Sequence, residues 1–294
     1  MNSAHPFSEC ATIAQASGKL NALLRDAGVD EHEADTRRLV CAAFGIAHID
    51  LVLRPDVKAD GVMLSRLAEY TSRRLNREPV TRILGARGFW SLDLAVQPNV
   101  LDPRPDTEVL VEACLDALGP RAKEPLTILD IGTGSGAIIA ALLSECPRAQ
   151  GWAVDVSPDA VSAAGQNLSR LGLADRVTVL HQSWSESLPC RFDLVASNPP
   201  YIETAAIAGL DPEVRNFDPA LALDGGPDGL DAYREIAGRM PVWLKDDGVL
   251  AVEIGSGQAK PVRAIFEAVG ARFLQLRQDY AGNDRAMVWT AGLV

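Results

Sequence analysis

The chain has 294 residues, of which 47% are hydrophobic, and this length and composition predict a globular protein of about two domains. No apolar run approaches the roughly 18 residues that a membrane-spanning helix requires, and residues 1–10 lack the basic and apolar segments of an export signal. The net charge of −11 repels phosphate backbones, which argues against a protein that binds long nucleic acids. We therefore expect a cytoplasmic protein that binds neither nucleic acid nor membrane.

The cysteines give no sign of a disulfide framework or a zinc site. Their number is odd, they are scattered, and the sequence contains neither a Cys-x-x-Cys pair nor a nearby pair of histidines. We therefore expect reduced thiols and no metal site. The five residues are Cys10, Cys41, Cys114, Cys146 and Cys190.

Apolar residues recur at three- and four-residue spacing near the N-terminus, which is typical of amphipathic helices. The pattern predicts helices from Ile13 to Ala27, from Ala34 to Phe44 and from Gly61 to Asn76, with a short turn over residues 50–53. Glycines follow the first two and provide natural ends. We predict that residues 1–77 form a small helical bundle that helps to dock the substrate.

A local excess of positive charge runs from residue 66 to residue 87 of this acidic chain. A solvated helix face is the usual explanation for such a run. The alternative is a docking surface for an acidic or RNA-associated partner, and the sequence leaves both interpretations open. The six arginines are Arg66, Arg73, Arg74, Arg77, Arg82 and Arg87.

Pro79 ends the helical pattern, and the residues that follow alternate between apolar and polar around Gly85 and Gly88. This pattern predicts a β-hairpin over residues 80–100. We assign residues 78–100 as a linker between the bundle and a catalytic domain that spans residues 101–294.

Strand and helix patterns alternate through the catalytic domain, which predicts an α/β fold with helices on both faces of a mostly parallel sheet. Helices are expected over residues 137–145, 158–171, 229–244 and 258–269. Seven strands are expected over residues 126–130, 151–155, 177–180, 192–197, 248–254, 273–277 and 286–290.

The first strand-to-helix turn is rich in glycine, which lets the backbone approach a ligand at the carboxyl end of the strand. The turn runs from Asp130 through Gly132, Gly134 and Gly136, and the next strand ends at Asp155. A carboxylate about 20 residues past such glycines binds ribose hydroxyls. The spacing differs from that of dinucleotide-binding turns, so a nucleoside without pyrophosphate is the better interpretation.

The fourth strand is followed by Asn198, Pro199, Pro200 and Tyr201. The Asn198 side-chain oxygen and the Pro199 carbonyl can each accept one proton of a planar NH2 group. Tyr201 can stack on the plane of that group, and the prolines keep the backbone rigid. The alternative is a simple strand followed by a proline turn.

These motifs together resemble the class I S-adenosylmethionine-dependent methyltransferases that act on NH2 groups. That fold implies a seven-stranded Rossmann-like sheet of order 3-2-1-4-5-7-6 with strand 7 antiparallel. The chain also resembles, more narrowly, the release-factor glutamine methyltransferase family over almost its whole length. The motifs that carry this narrower resemblance are Glu78-Pro79, Phe89-Trp90, residues 103–108 (PRPDTE) and residues 221–230 (LALDGGPDGL).

The resemblance implies transfer of a methyl group from S-adenosylmethionine to the glutamine side-chain amide in the Gly-Gly-Gln loop of class I peptide chain release factors. It implies that Asn198, Pro199 and Tyr201 are catalytic and that Pro200 helps to bind the substrate. We expect the enzyme to act as a monomer. The implied cofactor-binding residues are Asp130, Gly132, Thr133, Gly134, Ser135, Gly136, Asp155, Trp184 and Asn198.

An amide nitrogen is a poor nucleophile, but the sulfonium methyl is strongly activated, so the enzyme needs to position and polarise the amide and requires no strong base. Four residues depart from the family pattern. Ser183 stands where an acidic residue is usual before Trp184, and Asp102 occupies a usually apolar position. Gly88 replaces the usual glutamate before Phe89, and Ser256 follows Glu253-Ile254-Gly255 where an aromatic residue is common.

Three other functions remain open from the sequence. A DNA N6-adenine methyltransferase uses a similar pocket, although it needs a basic region and base flipping. A glutamine methyltransferase of a ribosomal protein is closer, and only the stretch from Pro103 to Glu108 argues against it. A binding module without turnover is the alternative that is not an enzyme.

Overall fold

The computed structural model describes residues 6–184 and 186–291. Within them the chain divides into two compact units, with the boundary between Gly85 and Ala86. The predicted ranges 1–77 and 101–294 also contain residues 1–5, 185 and 292–294, which lie outside the described residues. Because the first unit extends to Gly85, it includes eight residues, 78–85, that were predicted to belong to the linker.

Apolar helix faces form the core of the first unit, where Leu20, Leu24, Leu39 and Leu67 are almost fully buried. Three of its helices lie within two residues of their predicted bounds. The short helix over residues 50–53 was predicted as a turn. The helices described in this unit are α1 (Ile13–Asp26), α2 (His32–Phe44), α3 (Asp50–Leu53), α4 (Gly61–Leu75) and α5 (Val80–Leu84).

Helix α5 corrects the prediction of a hairpin over residues 80–100. Pro79 lies at its N-cap, where a missing N–H costs nothing, and Gly85 ends it at a φ of 69°. The alternating pattern becomes a hairpin only from Ala86 onward. The first part of the segment is helical because two of its apolar residues, Val80 and Ile83, lie three positions apart and are buried in the helical core.

At least four of the clustered arginines make hydrogen bonds within the first unit, and among them Arg66 and Arg77 donate to the carbonyls of Ala43 and Gly28. The Arg74 guanidinium donates to Asp35 at 2.7 Å, and both side chains are almost fully buried. Arg73 donates to Glu78 at 2.6 Å and also to the carbonyl of Ile83, which joins α4 to α5. The interpretation as a solvated helix face is therefore wrong for Arg74, whereas the Arg73 side chain is still 35% exposed. Docking of a partner on the remaining arginines stays a prediction.

The second unit contains a hairpin and a seven-stranded sheet. In it the structure describes the strands β1 (Ala86–Phe89), β2 (Leu92–Ala95), β3 (Thr127–Ile131), β4 (Gln150–Asp155), β5 (Val177–His181), β6 (Phe192–Ser197), β7 (Leu244–Glu253), β8 (Arg272–Gln278) and β9 (Asp284–Thr290). The described helices of this unit are α6 (Glu108–Leu118), α7 (Ala137–Glu145), α8 (Pro158–Arg170), α9 (Pro212–Arg215), α10 (Ala220–Leu223), α11 (Asp231–Trp243) and α12 (Ala259–Ala268).

The sheet order is β5-β4-β3-β6-β7-β9-β8, and β9 runs antiparallel to both of its neighbours. Numbered within the sheet, this is 3-2-1-4-5-7-6 with strand 7 antiparallel, as predicted. Alternate residues of each strand face opposite layers. Ile128 packs toward α6, α7 and α8, whereas Leu129 packs toward α11 and α12. Because β4, β3, β6 and β7 pair in parallel, their carboxyl ends lie at the same edge of the sheet.

The hairpin is fixed to this sheet layer by Asn167 of α8, which is 1% exposed. Its side-chain oxygen accepts from the Ala95 N–H at 2.8 Å, and its amide group donates to the carbonyls of Ala95 and Ser135. One buried side chain thus joins the hairpin to the glycine-rich turn. No helix in the described part of the chain is long and apolar enough to cross a membrane.

A loop over residues 224–230 supports the backbone that follows β6. The Gln258 side chain donates to the carbonyls of Tyr201 and Gly229, and thereby fastens this loop to the proline turn. Gly229 has a φ of 71°, and a Cβ at this position would lie 2.5 Å from the Tyr201 carbonyl oxygen. Close backbone approach therefore requires glycine there.

Substitution of this glycine tests the packing. We expect Gly229→Ala to lower the free energy of unfolding by about 1–3 kcal/mol, because alanine disfavours the positive φ and its methyl group clashes with Tyr201. Gly165→Ala in α8 is the matched control, since nothing lies within 4 Å of its Cβ position. The control should stabilise by about 0.4–1 kcal/mol. Urea unfolding of both variants measures the difference, and equal effects would contradict the tight contact.

Candidate active site

A cavity of about 360 Å³ opens at the carboxyl edge of the sheet. Its size falls in the range of roughly 300–1,000 Å³ that is typical of small-ligand sites. Eight of the predicted site residues line its wall: Gly132, Thr133, Gly134, Ser135, Asp155, Trp184, Asn198 and Pro200. Four others, Asp130, Gly136, Pro199 and Tyr201, are not part of the wall.

Asp130 lies beneath the glycine-rich turn and shapes it. Its carboxylate accepts from the Thr133 hydroxyl at 2.6 Å and from the Ile139 N–H at 3.3 Å. The side chain is fully buried, and burial raises the pKa of the Asp130 carboxyl to about 7, although the Thr133 hydrogen bond opposes the rise. In this structure Asp130 therefore holds the turn from behind.

Asp155 ends β4 and crosses to the same turn. One carboxylate oxygen accepts from the Gly134 N–H and the other from the Ser157 N–H, each at 2.9 Å. A carboxylate oxygen has two lone pairs, so each oxygen can accept one more proton. Since Asp155 also lines the cavity, it can bind two hydroxyls of a sugar without losing its structural bonds.

Trp184 supplies an aromatic plane on the same wall. It is half-buried, and its ring lies 3.6 Å from the position that a Cβ of Gly132 would occupy. The neighbouring Ser183 also lines the cavity, and its backbone N–H donates to the carboxylate of Glu186. A carboxylate that can accept from sugar hydroxyls, beside an aromatic ring and a glycine turn, fits a nucleoside derivative such as S-adenosylmethionine.

Asn198 projects into this cavity from the end of β6. Its amide nitrogen donates to the Thr107 hydroxyl at 3.1 Å, and that hydroxyl donates to Glu253 at 2.6 Å. The Tyr201 hydroxyl reaches the other oxygen of Glu253 at 3.4 Å. Two residues of the proline turn are thus linked to one carboxylate at the end of β7.

Glu253 is 1% exposed, and burial raises its pKa to about 7. Burial also raises the pKa of Tyr201 to about 12, and the neighbouring Glu253 charge adds to the rise. Arg285 lies close enough to favour the ionised form of Glu253, but its own guanidinium is paired with Asp279 at 2.9 Å.

Sequence reasoning missed the roles of Thr107 and Glu253. Thr107 was noticed only as part of a motif, and Glu253 only as the residue before Ile254-Gly255. A carboxylate that ends an apolar strand at the ligand-binding edge is the signal that indicates Glu253. Asp102, noted as a departure from the family pattern, lies buried in the cavity wall.

Within the described ranges, no group of three histidine, cysteine or acidic side chains lies close enough to hold a metal ion. The wall of the cavity contains several carboxylates, an arginine, the Asn198 amide and aromatic rings.

Two family models match the chain. One, described as the PrmC N-terminal domain, matches residues 15–85, and the other, the methyltransferase small domain, matches residues 105–210. Among solved structures, the human Mettl16 catalytic domain in complex with an RNA hairpin aligns with a TM-score of 0.56 at 16% identity, over 68% of this chain and 76% of that one. A ribosomal protein L11 methylase from Lactobacillus delbrueckii subsp. bulgaricus aligns with a TM-score of 0.51 at 16% identity, over 67% and 84%. At such identities both show the fold alone.

Curated relatives are more informative because they match almost the whole chain. A release factor glutamine methyltransferase from Agrobacterium fabrum is 45% identical over 268 residues, which cover 90% of this chain and 93% of the relative. The relative of the same name from Caulobacter vibrioides is 43% identical over 266 residues, which cover 90% and 91%. The resemblance indicated by the motifs is confirmed, and the chain belongs to the release factor glutamine methyltransferase family.

Proposed function

We propose that this chain transfers the methyl group of S-adenosylmethionine to the side-chain nitrogen N5 of the glutamine in the Gly-Gly-Gln loop of class I peptide chain release factors. The observation that carries the proposal is a single cavity whose wall contains Asp155, Trp184 and Asn198. A nucleoside site and an amide acceptor thus share one space. The enzyme acts as a monomer in the cytoplasm, where proteins are synthesised, and takes a protein and not a nucleic acid as its substrate.

The cofactor lies against the glycine-rich turn in this proposal. Asp155 accepts hydrogen bonds from the ribose hydroxyls, Trp184 packs beside the adenine, and the backbone from Gly132 to Ser135 lines the methionine portion. Asp130 contributes by holding Thr133 and the start of α7. Bound S-adenosylmethionine supplies an electrophilic methyl group on its sulfonium.

The proline turn orients the glutamine. The Asn198 side-chain oxygen and the Pro199 carbonyl each accept one of the two protons on the substrate NH2 group. Pro200 and Tyr201 bound the plane of the amide. Because both acceptors belong to a rigid segment braced by Gln258, little reorganisation is needed when the substrate binds.

Chemistry at the nitrogen requires polarisation more than proton abstraction. The hydrogen bonds that the substrate NH2 group donates to Asn198 and Pro199 increase the electron density on its nitrogen and stabilise the positive charge that develops there. The nitrogen would gain the methyl group as the bond between that group and the sulfonium sulfur breaks, which leaves a neutral thioether. The nitrogen becomes cationic and then releases one proton to solvent. Asn198 and Pro199 therefore position and polarise, and neither acts as a general base.

The substrate class is tested by mass spectrometry after incubation with S-adenosylmethionine that carries a trideuterated methyl group. Separate reactions contain a class I release factor, a ribosomal protein and double-stranded DNA. We expect label only on the release factor, at the glutamine of its Gly-Gly-Gln loop. Label on DNA adenine or on the ribosomal protein alone would contradict the proposed substrate.

Substitutions at Asn198 test positioning against base catalysis. Asn198→Ala should lower kcat by about 10²-fold, because one preorganised contact to the transition state is lost, with little change in the Kd of S-adenosylhomocysteine. Asn198→Asp should also be slower than the wild type, because a carboxylate beside the sulfonium stabilises the ground state. Asn216→Ala is the matched control, since this exposed asparagine is not part of the cavity wall.

The steady-state rate of Asn198→Asp relative to that of the wild type at each pH between about 6 and 9, the range in which a general base titrates, distinguishes the two mechanisms. An Asn198→Asp enzyme whose kcat rises steeply with pH and exceeds that of the wild type would show that a base is required. Unchanged activity in Asn198→Ala would exclude this residue from the reaction.

A further inference from the structure

The two ends of the Asn198 side-chain amide, the NH2 group and the oxygen, are nearly identical in shape but have opposite hydrogen-bonding character. One end of the amide donates hydrogen bonds, and the other end accepts them. Only the accepting end can hold the NH2 group of a substrate glutamine. Methyl transfer therefore depends on which end faces the cavity and which end faces Thr107.

Thr107 limits this choice because its hydroxyl has a single proton. An ionised Glu253 can only accept, so the Thr107 proton must point to Glu253, and the 2.6 Å separation fits such a charge-assisted bond. The hydroxyl oxygen then has only lone pairs left for Asn198. As a result, the amide nitrogen of Asn198 faces Thr107, at 3.1 Å, and its oxygen is turned away from it.

We propose that Glu253 is a positioning residue that acts through Thr107 to fix the Asn198 amide with its oxygen toward the substrate. This inference rests on the proposed function, because it concerns how that site recognises an NH2 group. Glu253 does not touch the substrate. Its effect is transmitted by one hydroxyl and depends on the negative charge of the carboxylate.

The surroundings of Glu253 come from four parts of the second unit. The Tyr201 hydroxyl donates to its carboxylate, and the Tyr233 hydroxyl of α11 donates to its backbone carbonyl at 3.0 Å. From β9, Arg285 favours the ionised form, whereas Asp106, beside Thr107, opposes it. Arg285 and Asp106 are themselves 3.4 Å apart, so the charges near Glu253 partly cancel.

Protonation of Glu253 reverses the arrangement. A neutral carboxyl can donate to Thr107, whose proton is then free to point at Asn198. The Asn198 oxygen turns toward Thr107, and its NH2 group faces the NH2 group of the substrate, where two donors meet. Since burial raises the pKa of Glu253 to about 7, the productive arrangement is present above this pH and is lost as the pH falls through it.

A matched pair of substitutions at Thr107 isolates the hydroxyl. Thr107→Val keeps the shape and removes the hydroxyl, whereas Thr107→Ser keeps the hydroxyl and removes a methyl group. We expect Thr107→Val to lower kcat by about 10-fold or more, as for one lost hydrogen bond in a preorganised site. The KM for the release factor and the Kd of S-adenosylhomocysteine should stay within about threefold. Thr107→Ser should remain within about threefold of the wild type in all three quantities.

The pH profile tests the carboxylate. The wild-type kcat should fall about tenfold per pH unit below the pKa of Glu253, because only the ionised form orients Asn198. In Glu253→Gln this acid limb should disappear, since glutamine does not titrate. In protein labelled with ¹³C at the glutamate carboxyls, the Glu253 signal, assigned by its loss in Glu253→Gln, should titrate with the same midpoint as the wild-type rate.

The outcomes separate this inference from the proposed function. If the wild type methylates no release factor, the proposed function fails and the inference falls with it. If the wild type is active but Thr107→Val and Thr107→Ser have equal kcat values, only the inference is overturned. An acid limb that persists in Glu253→Gln, or a carboxyl midpoint more than about one pH unit from that of the rate, overturns it as well. These last two tests hold even if Thr107→Val does not fold.

Discussion

The hydrogen bond between Thr107 and the buried carboxylate of Glu253 is the interaction on which the polarity of the site depends. A carboxylate that is 1% exposed is costly to bury unless its oxygens accept hydrogen bonds. Its two donors are a hydroxyl from the segment before α6 and a hydroxyl from the proline turn. The need to satisfy one charge thus draws together parts of the chain that are 146 residues apart.

The rest of the second unit keeps these partners in register. Parallel pairing of β6 with β7 places Asn198 and Glu253 at the same edge of the sheet. Gln258 and the loop over residues 224–230 then hold the backbone of the proline turn from the other side. At the proposed cofactor site, Asp155 likewise holds the backbone of the glycine turn by accepting from the Gly134 N–H. The two surfaces that we propose for the ligands therefore have a backbone that is already fixed, which lowers the entropic cost of orienting reactants.

Local patterns in the sequence predicted much of this architecture. Helix α7 occupies its predicted range, and β6 does too, because both are largely apolar segments with a proline two residues after their last residue. The sheet order came from the family resemblance, since no local pattern specifies which strands pair. The burial of Arg74 and its ion pair could not be predicted, because its partner Asp35 lies on another helix 39 residues away. The same limit applies to Glu253, whose partners are distant in sequence. The motifs indicated which residue types form the cavity, but the hydrogen bonds that orient them arise only when the strands pair.

Neutron diffraction from a crystal of the protein exchanged into D2O at a pH above 8 most directly tests how Asn198 is oriented. It locates deuterons and so distinguishes the nitrogen of an amide from its oxygen. We predict two deuterons on the Asn198 atom that faces Thr107, one deuteron on the Thr107 hydroxyl that points to Glu253, and none on the Glu253 carboxylate. An Asn198 oxygen that faces Thr107, or a deuteron on Glu253 at that pH, would contradict the assignment of Glu253 as the residue that sets the polarity of the site.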